Sequence, residues 1–287
     1  MRVCLGHAMR FTVRHETLYR YDTPVELAPH VLRLNPRRDG VRLLGHTLTI
    51  TPGPASRHDE TDRFGNLVTH LAFAGAADRF HIDSRFELHT VPTRTPAIAL
   101  PPLPWTCAPD DGLACYRLNV HPDAAVHDFA CVLASEAGHA ALPFLEHLSR
   151  TLFARVDRHI RVDGAAQAPT VTLATRRGAC RDITVLFLAA CRALGMAGRF
   201  VSGYQARADT PDGRRHLHAW PEVLLPGIGW RGFDPTHGIP VSDGHVTLCA
   251  APEQAGTMPV EGGFYGKDVT ATLDYAVTIA TTRSAAE

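Results

Sequence analysis

Apolar and polar positions alternate from the first clear segment of the chain. Phe11, Val13, His15, Thr17, Tyr19 and Tyr21 are separated by mostly polar residues, the period of a half-buried strand. The same pattern predicts strands over 31–34, 41–51, 67–74 and 80–91. Turn-forming pairs part them: Asn35-Pro36, Asp39-Gly40, Pro52-Gly53 and Gly65-Asn66. Short, evenly spaced strands without a long helix suggest a β-sandwich or small barrel. Residues 1–8 stand outside the pattern and read as a disordered leader or a misassigned start, with Met9 as the natural beginning.

Proline then dominates. Pro92, Pro96, Pro101, Pro102, Pro104, Pro109 and Pro122 stiffen a connector and forbid a central strand, which places a linker over 93–122. Beyond it the period lengthens to that of helices. Val126, Phe129, Ala130, Leu133 and Ala137 keep helical spacing, a second helix is predicted over 143–160, and a third begins near Cys180 and stops by Gly195. Strands follow at 199–205, 217–225, 230–233, 246–249 and 269–279. The expectation is an α+β chain, with a β-sandwich-like N-terminal domain over 9–92 and a helix-plus-antiparallel-sheet domain over 123–287.

Composition narrows the function classes. The 287 residues include 29 Lys+Arg and 29 Asp+Glu, so bulk charge draws the chain to neither nucleic acid nor a membrane surface. The longest apolar stretch, 183–198, is interrupted by Cys191-Arg192 and is too short and polar to span a bilayer. With no secretory signal pattern, a cytoplasmic location is expected. Seven cysteines, at 4, 107, 115, 131, 180, 191 and 249, form neither an even disulfide set nor a zinc-type pair. A reducing compartment fits.

One cysteine is placed differently. Ile183, Leu186, Phe187, Ala190 and Leu194 mark the buried face of a helix, and Cys180 falls at its N-terminus. The helix dipole and unmatched N–H groups there favour a thiolate and can hold an oxyanion. Arg176, Arg177 and Arg181 add positive charge, and Gly178 lets the chain turn into the helix. The competing reading is a buried cysteine beside a helix cap, as Cys191, in mid-helix, reads as packing.

A nucleophilic cysteine needs a base and the base an orienting group. Two strands joined by Pro226-Gly227-Ile228-Gly229 carry His216, His218 and Asp234. A three-residue loop puts His218 and Asp234 on one face; a two-residue loop separates them. His216 shares the face of His218 and competes for the same role. The H-x-H pair also suits a metal, but no further ligands stand nearby in sequence, and neither metal nor cofactor is expected. Trp220 and Trp230 are expected to shape the site as substrate-binding walls.

These blocks resemble the bacterial transglutaminase-like proteins. Gly178-Ala179-Cys180-Arg181-Asp182 is similar to their nucleophile block, His218-Ala219-Trp220-Pro221-Glu222-Val223 to their histidine block, and Gly229-Trp230-Arg231-Gly232-Phe233-Asp234-Pro235-Thr236 to their aspartate block. Residues 14–21 and 27–34 resemble the β-rich N-terminal domain such proteins carry. Ile183 stands where the family often has Phe. Pro221, lacking an N–H, must sit at a strand edge, a strand end or a bulge. The resemblance implies a papain-like core over 123–287, with Cys180 as nucleophile, His218 as base and Asp234 as orienter. It implies acyl transfer through a thioester: hydrolysis of a peptide or isopeptide amide, or, with an amine acceptor, a transglutaminase or amide synthase. A non-catalytic binding protein on the same fold is the alternative of another class.

Overall fold

In a computed structural model the described residues are 8–91, 98–106, 112–118, 123–161, 164–206, 210 and 212–283. The leader reading, for 1–7, lies outside them, as do 92–97, 107–111 and 119–122 of the linker.

The alternating N-terminal segments form two sheets. Strands β1 (Met9–Leu27), β3 (Val41–Thr51) and β6 (Ala76–Thr90) belong to one; β2 (His30–Leu32), β4 (Ser56–Thr61) and β5 (Leu67–Ala72) belong to the other. Phe11, Val13, Phe80, Ile82, Phe86 and Leu88 are buried together, as period-two burial requires. Strand β4 has no apolar residue and every position is exposed; only its pairing with β5, from Ser56↔Ala72 to Thr61↔Leu67, makes it a strand.

Helices follow: α1 (Ala114–Arg117), α2 (Ala124–Glu136), α3 (Ala141–Arg155) and α4 (Pro169–Thr175), with two-residue strands β7 (Asp157–Arg158) and β8 (Arg177–Gly178) pairing in parallel. Helix α5 (Cys180–Ala193) packs among α2, α3 and the next sheet, and Ile183, Leu186, Phe187 and Ala190 are fully buried. Part of the linker joins this core. Leu103 is buried in it, and Trp105 N–H donates to Leu194 O at 2.9 Å.

The core sheet runs β12-β11-β10-β9-β13, from β9 (Gly198–Gln205), β10 (His218–Leu225), β11 (Gly229–Asp234), β12 (Ile239–Pro240) and β13 (His245–Ala251). Leu225 faces Gly229 and Glu222 faces Gly232, so the loop is the three-residue one. The register then puts His218 and Asp234 diagonal on one face. Pro221 is tolerated in this central strand for a local reason. Leu224 N–H donates to Ala197 O on the β9 side, and alternation turns the proline nitrogen toward β11, beyond the last recorded pair of that ladder.

The chain end corrects the boundary expected for the second domain. Strands β14 (Val260–Glu261), β15 (Phe264–Tyr265) and β16 (Ala271–Arg283) return to the N-terminal sheets. β14 pairs with β2 and β15 with the end of β1, while β16 runs along β1 from Met9↔Arg283 to Tyr21↔Ala271. Residues 260–283 therefore belong with the β-rich part, where their alternating side chains find a sheet to cover.

Candidate active site

The site begins with the turn into α5. At Gly178 a Cβ would lie 3.0 Å from Asp182 Cβ and 3.3 Å from Thr172 Cγ2, so a side chain there would push the helix start aside. Asp182, fully buried, accepts from Ala179 N–H (2.8 Å), Gln167 N–H (2.9 Å) and Arg161 Nη2 (2.6 Å). This carboxylate caps the helix, complements its dipole, and fixes the residue before Cys180. Cys180 is the first residue of α5, and its N–H belongs to the turn whose donors have no partner within the helix.

Cys180 is half-buried and faces the cleft. Burial works to raise its pKa. His218, beside the sulfur and carrying positive charge, outweighs that with help from the Ala219 N–H and Arg181, and the thiol is held below its ordinary value. Other cysteines behave oppositely. Burial pushes Cys191 far above the thiol range and Cys249 up to about 12.

His218 opens β10 and is buried. Its Nε2 donates to Asp234 Oδ2 at 2.9 Å, which leaves Nδ1 for Cys180. Burial opposes its charge, but the Asp234 carboxylate and the Cys180 sulfur overcome that, and the imidazolium is pushed up to about 10. Asp234 closes β11 and is fully buried. Its Oδ1 accepts from Thr236 N–H (3.1 Å) and His237 N–H (3.2 Å). On Oδ2, His218 is joined by His237 Nδ1 (2.9 Å) and His245 Nε2 (3.2 Å). Burial would raise this carboxyl, yet its imidazole neighbours keep it far below the carboxylate range. His245 goes the other way: burial lowers it despite Asp234.

The fold thus brings Cys180, His218 and Asp234 together, with His218 between the sulfur and the carboxylate it bonds. His216 is not part of it. Its Nε2 faces Asp212 Oδ2 (2.8 Å) and its Nδ1 the Tyr275 hydroxyl (2.6 Å), so the H-x-H pair does not converge. The nitrogens of His218 and His237 and an Asp234 oxygen do lie within 4.8 Å of one another, but both Asp234 oxygens are already spent on hydrogen bonds. His237 and His245 escaped the sequence reading because neither sits in a periodic or motif position. Their only signal was closeness after Asp234, which a turn makes meaningful.

The two tryptophans correct an expectation, because neither lines the cleft. Trp220 is fully buried on the strand face of His218, its ring 6.0 Å from that imidazole and 5.3 Å from His245. It walls the pair from behind, since a residue two positions along a strand keeps the same face. Trp230 lies beneath the Arg199 guanidinium (4.3 Å) and against Tyr116 (4.9 Å). The cleft itself, about 740 Å³, lies between the core and the N-terminal sheet. Thr17 and Tyr19 of β1 and Leu273 and Tyr275 of β16 form one side, with Cys180 and His218 on the other.

Comparison with known proteins agrees with this architecture. Residues 11–89 match the family model for the bacterial transglutaminase-like N-terminal region, and residues 146–235 match that of the transglutaminase-like superfamily. Uncharacterized proteins of Mycobacterium tuberculosis and Mycobacterium bovis are 27% identical over 310 aligned residues, covering 96% of this chain and 94% of theirs. A crystal structure described as a proposed cysteine protease from Cytophaga hutchinsonii superposes with a TM-score of 0.72 at 17% identity, covering 98% of this chain and 93% of that one, which supports the fold. The second matched segment holds Cys180, His218 and Asp234, the first holds most of the β-rich part, and they occur in that order. The chain belongs to the bacterial transglutaminase-like superfamily, with the N-terminal region that accompanies its core.

Proposed function

We propose that the protein is a cysteine-dependent acyl-transfer enzyme that hydrolyses a peptide or isopeptide amide through a thioester on Cys180. The observation that supports this is the grouping of Cys180, His218 and Asp234 at a cleft, with His218 bonded to Asp234 and the thiol pKa lowered and the imidazole raised. Those shifts favour a thiolate–imidazolium pair at neutral pH. The thiolate attacks the carbonyl carbon and forms the C–S bond, and the Cys180 N–H at the helix start supports the oxyanion. Collapse breaks the C–N bond, and His218 Nδ1 gives its proton to the leaving amine. Water then attacks the thioester, His218 takes its proton, the C–S bond breaks, and the carboxylic acid leaves. Asp234 holds the tautomer and the imidazolium throughout.

An amine in place of water would make the reaction amide synthesis or transglutamination. A reducing, cytoplasmic setting is part of the proposal, in keeping with seven cysteines that form no disulfide-type or zinc-type pattern in the sequence. The test is a peptide panel with and without a primary amine, read by product mass. Wild-type protein is expected to release acid, and Cys180→Ala to lose about 10³-fold or more of that rate. Undiminished turnover by Cys180→Ala would end the proposal.

A further inference from the structure

The cleft has two chemically unlike sides. The sheet side presents Tyr19 and Leu273; the core side presents Arg158, Arg161 and Arg181 around Cys180. Among the described residues, the carboxylate lining the cleft is Asp157, which faces Arg177 at 3.4 Å. Below the surface, Asp182 matches Arg161 at 2.6 Å, and Asp234 is taken up by imidazoles. Asp212 serves His216.

Arg158 is held by neutral partners. Its Nη1 donates to Thr236 O at 2.6 Å and its guanidinium lies over the Phe153 ring at 4.8 Å. These contacts fix the group without cancelling its charge. Its place follows from register. Arg158 pairs with Gly178, two residues before Cys180, and the carbonyl it grips lies two residues after Asp234. A fixed, planar fork of donors between the nucleophile and the aspartate loop suits a carboxylate, and a concave, partly apolar wall focuses such a charge.

We infer that the acyl donor is anionic, carrying a carboxylate close to the reacting carbonyl that Arg158 receives, while its apolar part rests on Tyr19 and Leu273. This rests on the acyl-transfer reading and names its substrate class. Neutral and anionic alkylating agents separate the two. Iodoacetamide and iodoacetate are reacted with the full-length protein, and the labelled residue and its rate are read by mass spectrometry. The His218 imidazolium favours iodoacetate in every variant, so the informative quantity is how the iodoacetate-to-iodoacetamide rate ratio at Cys180 depends on Arg158. Arg158→Glu is expected to lower that ratio about tenfold and Arg158→Gln about threefold, with the difference shrinking as salt rises. A ratio unchanged within twofold in the folded variants overturns the anionic donor while leaving the nucleophile in place. Labelling that bypasses Cys180 in the wild type overturns the acyl-transfer reading instead. If Arg158→Glu does not fold, Arg158→Gln alone decides by the same criterion.

Discussion

Asp234 shows how much one residue can organise. Its two oxygens collect two backbone N–H groups and three imidazoles, and the carboxylate itself is fully buried. The buried carboxylate stays charged, and that charge holds His218 protonated. Asp234→Asn would keep the shape and remove the charge. Burial would then dominate at His218 and lower its pKa, so fewer molecules would hold the ion pair at neutral pH. Steady-state kinetics on a cleaved peptide should show kcat down by about 10²-fold or more, with KM little changed. A loss below threefold would remove Asp234 from the mechanism. Cys180, His218 and Asp234 could be read from sequence because each sits in a distinctive block. His237 and His245 could not, because what joins them is a shared carboxylate oxygen, and that depends on the turn after β11.

Two elements carry the geometry. The start of α5 depends on Asp182, whose sequence mark is only an acidic residue in a helix's first turn. Its burial and its bond to Arg161 are tertiary facts. Asp182→Ala leaves Arg161, one-third exposed at its side chain, without its carboxylate, and the Ala179 and Gln167 N–H groups without acceptors. A loss of about 2–3 kcal/mol in urea unfolding is expected, mainly because two backbone N–H groups at the helix start lose their acceptor, while the partly exposed Arg161 can turn to solvent. A loss under about 0.5 kcal/mol would contradict the capping role. The β10–β11 hairpin is the second element. Its sequence allowed two loop lengths with opposite outcomes. The three-residue loop uses positive φ at Gly227 (71°), and Gly229 (91°) follows it at the start of β11, conformations that glycine reaches without strain. Strand β4, by contrast, has no apolar side chain to signal it, and pairing alone defines it.

At the scale of the molecule, the α+β class and the β-rich N-terminal part were evident from periodicity, because alternation reports burial directly. Which sheet the last strand joins was not. The pattern over 269–279 marks a strand, but its partner β1 lies some 250 residues earlier, and periodicity carries no information about partners. The consequence is functional, since β16 brings Leu273 and Tyr275 to the cleft. The sheets are also tied to the core. Arg37 N–H donates to Thr247 O at 2.9 Å, and Asn66 bonds both backbone groups of Ala250, at 2.8 and 2.9 Å. The N-terminal sheets are therefore anchored through their turns to the strand that carries His245. No helix among the described residues is long and apolar enough to cross a membrane.

The proposed chemistry depends above all on Cys180 being a thiolate near neutral pH. The direct measurement is its rate of alkylation by iodoacetamide from pH 4 to 10, with each labelled cysteine identified by mass spectrometry. A depressed pKa means that the thiolate is present above that value and is lost only as pH falls through it. The predicted curve therefore rises and levels off below the ordinary thiol value of 9.0 and leaves Cys191 and Cys249 unlabelled. Labelling of Cys180 that begins only as pH approaches 9 would contradict it.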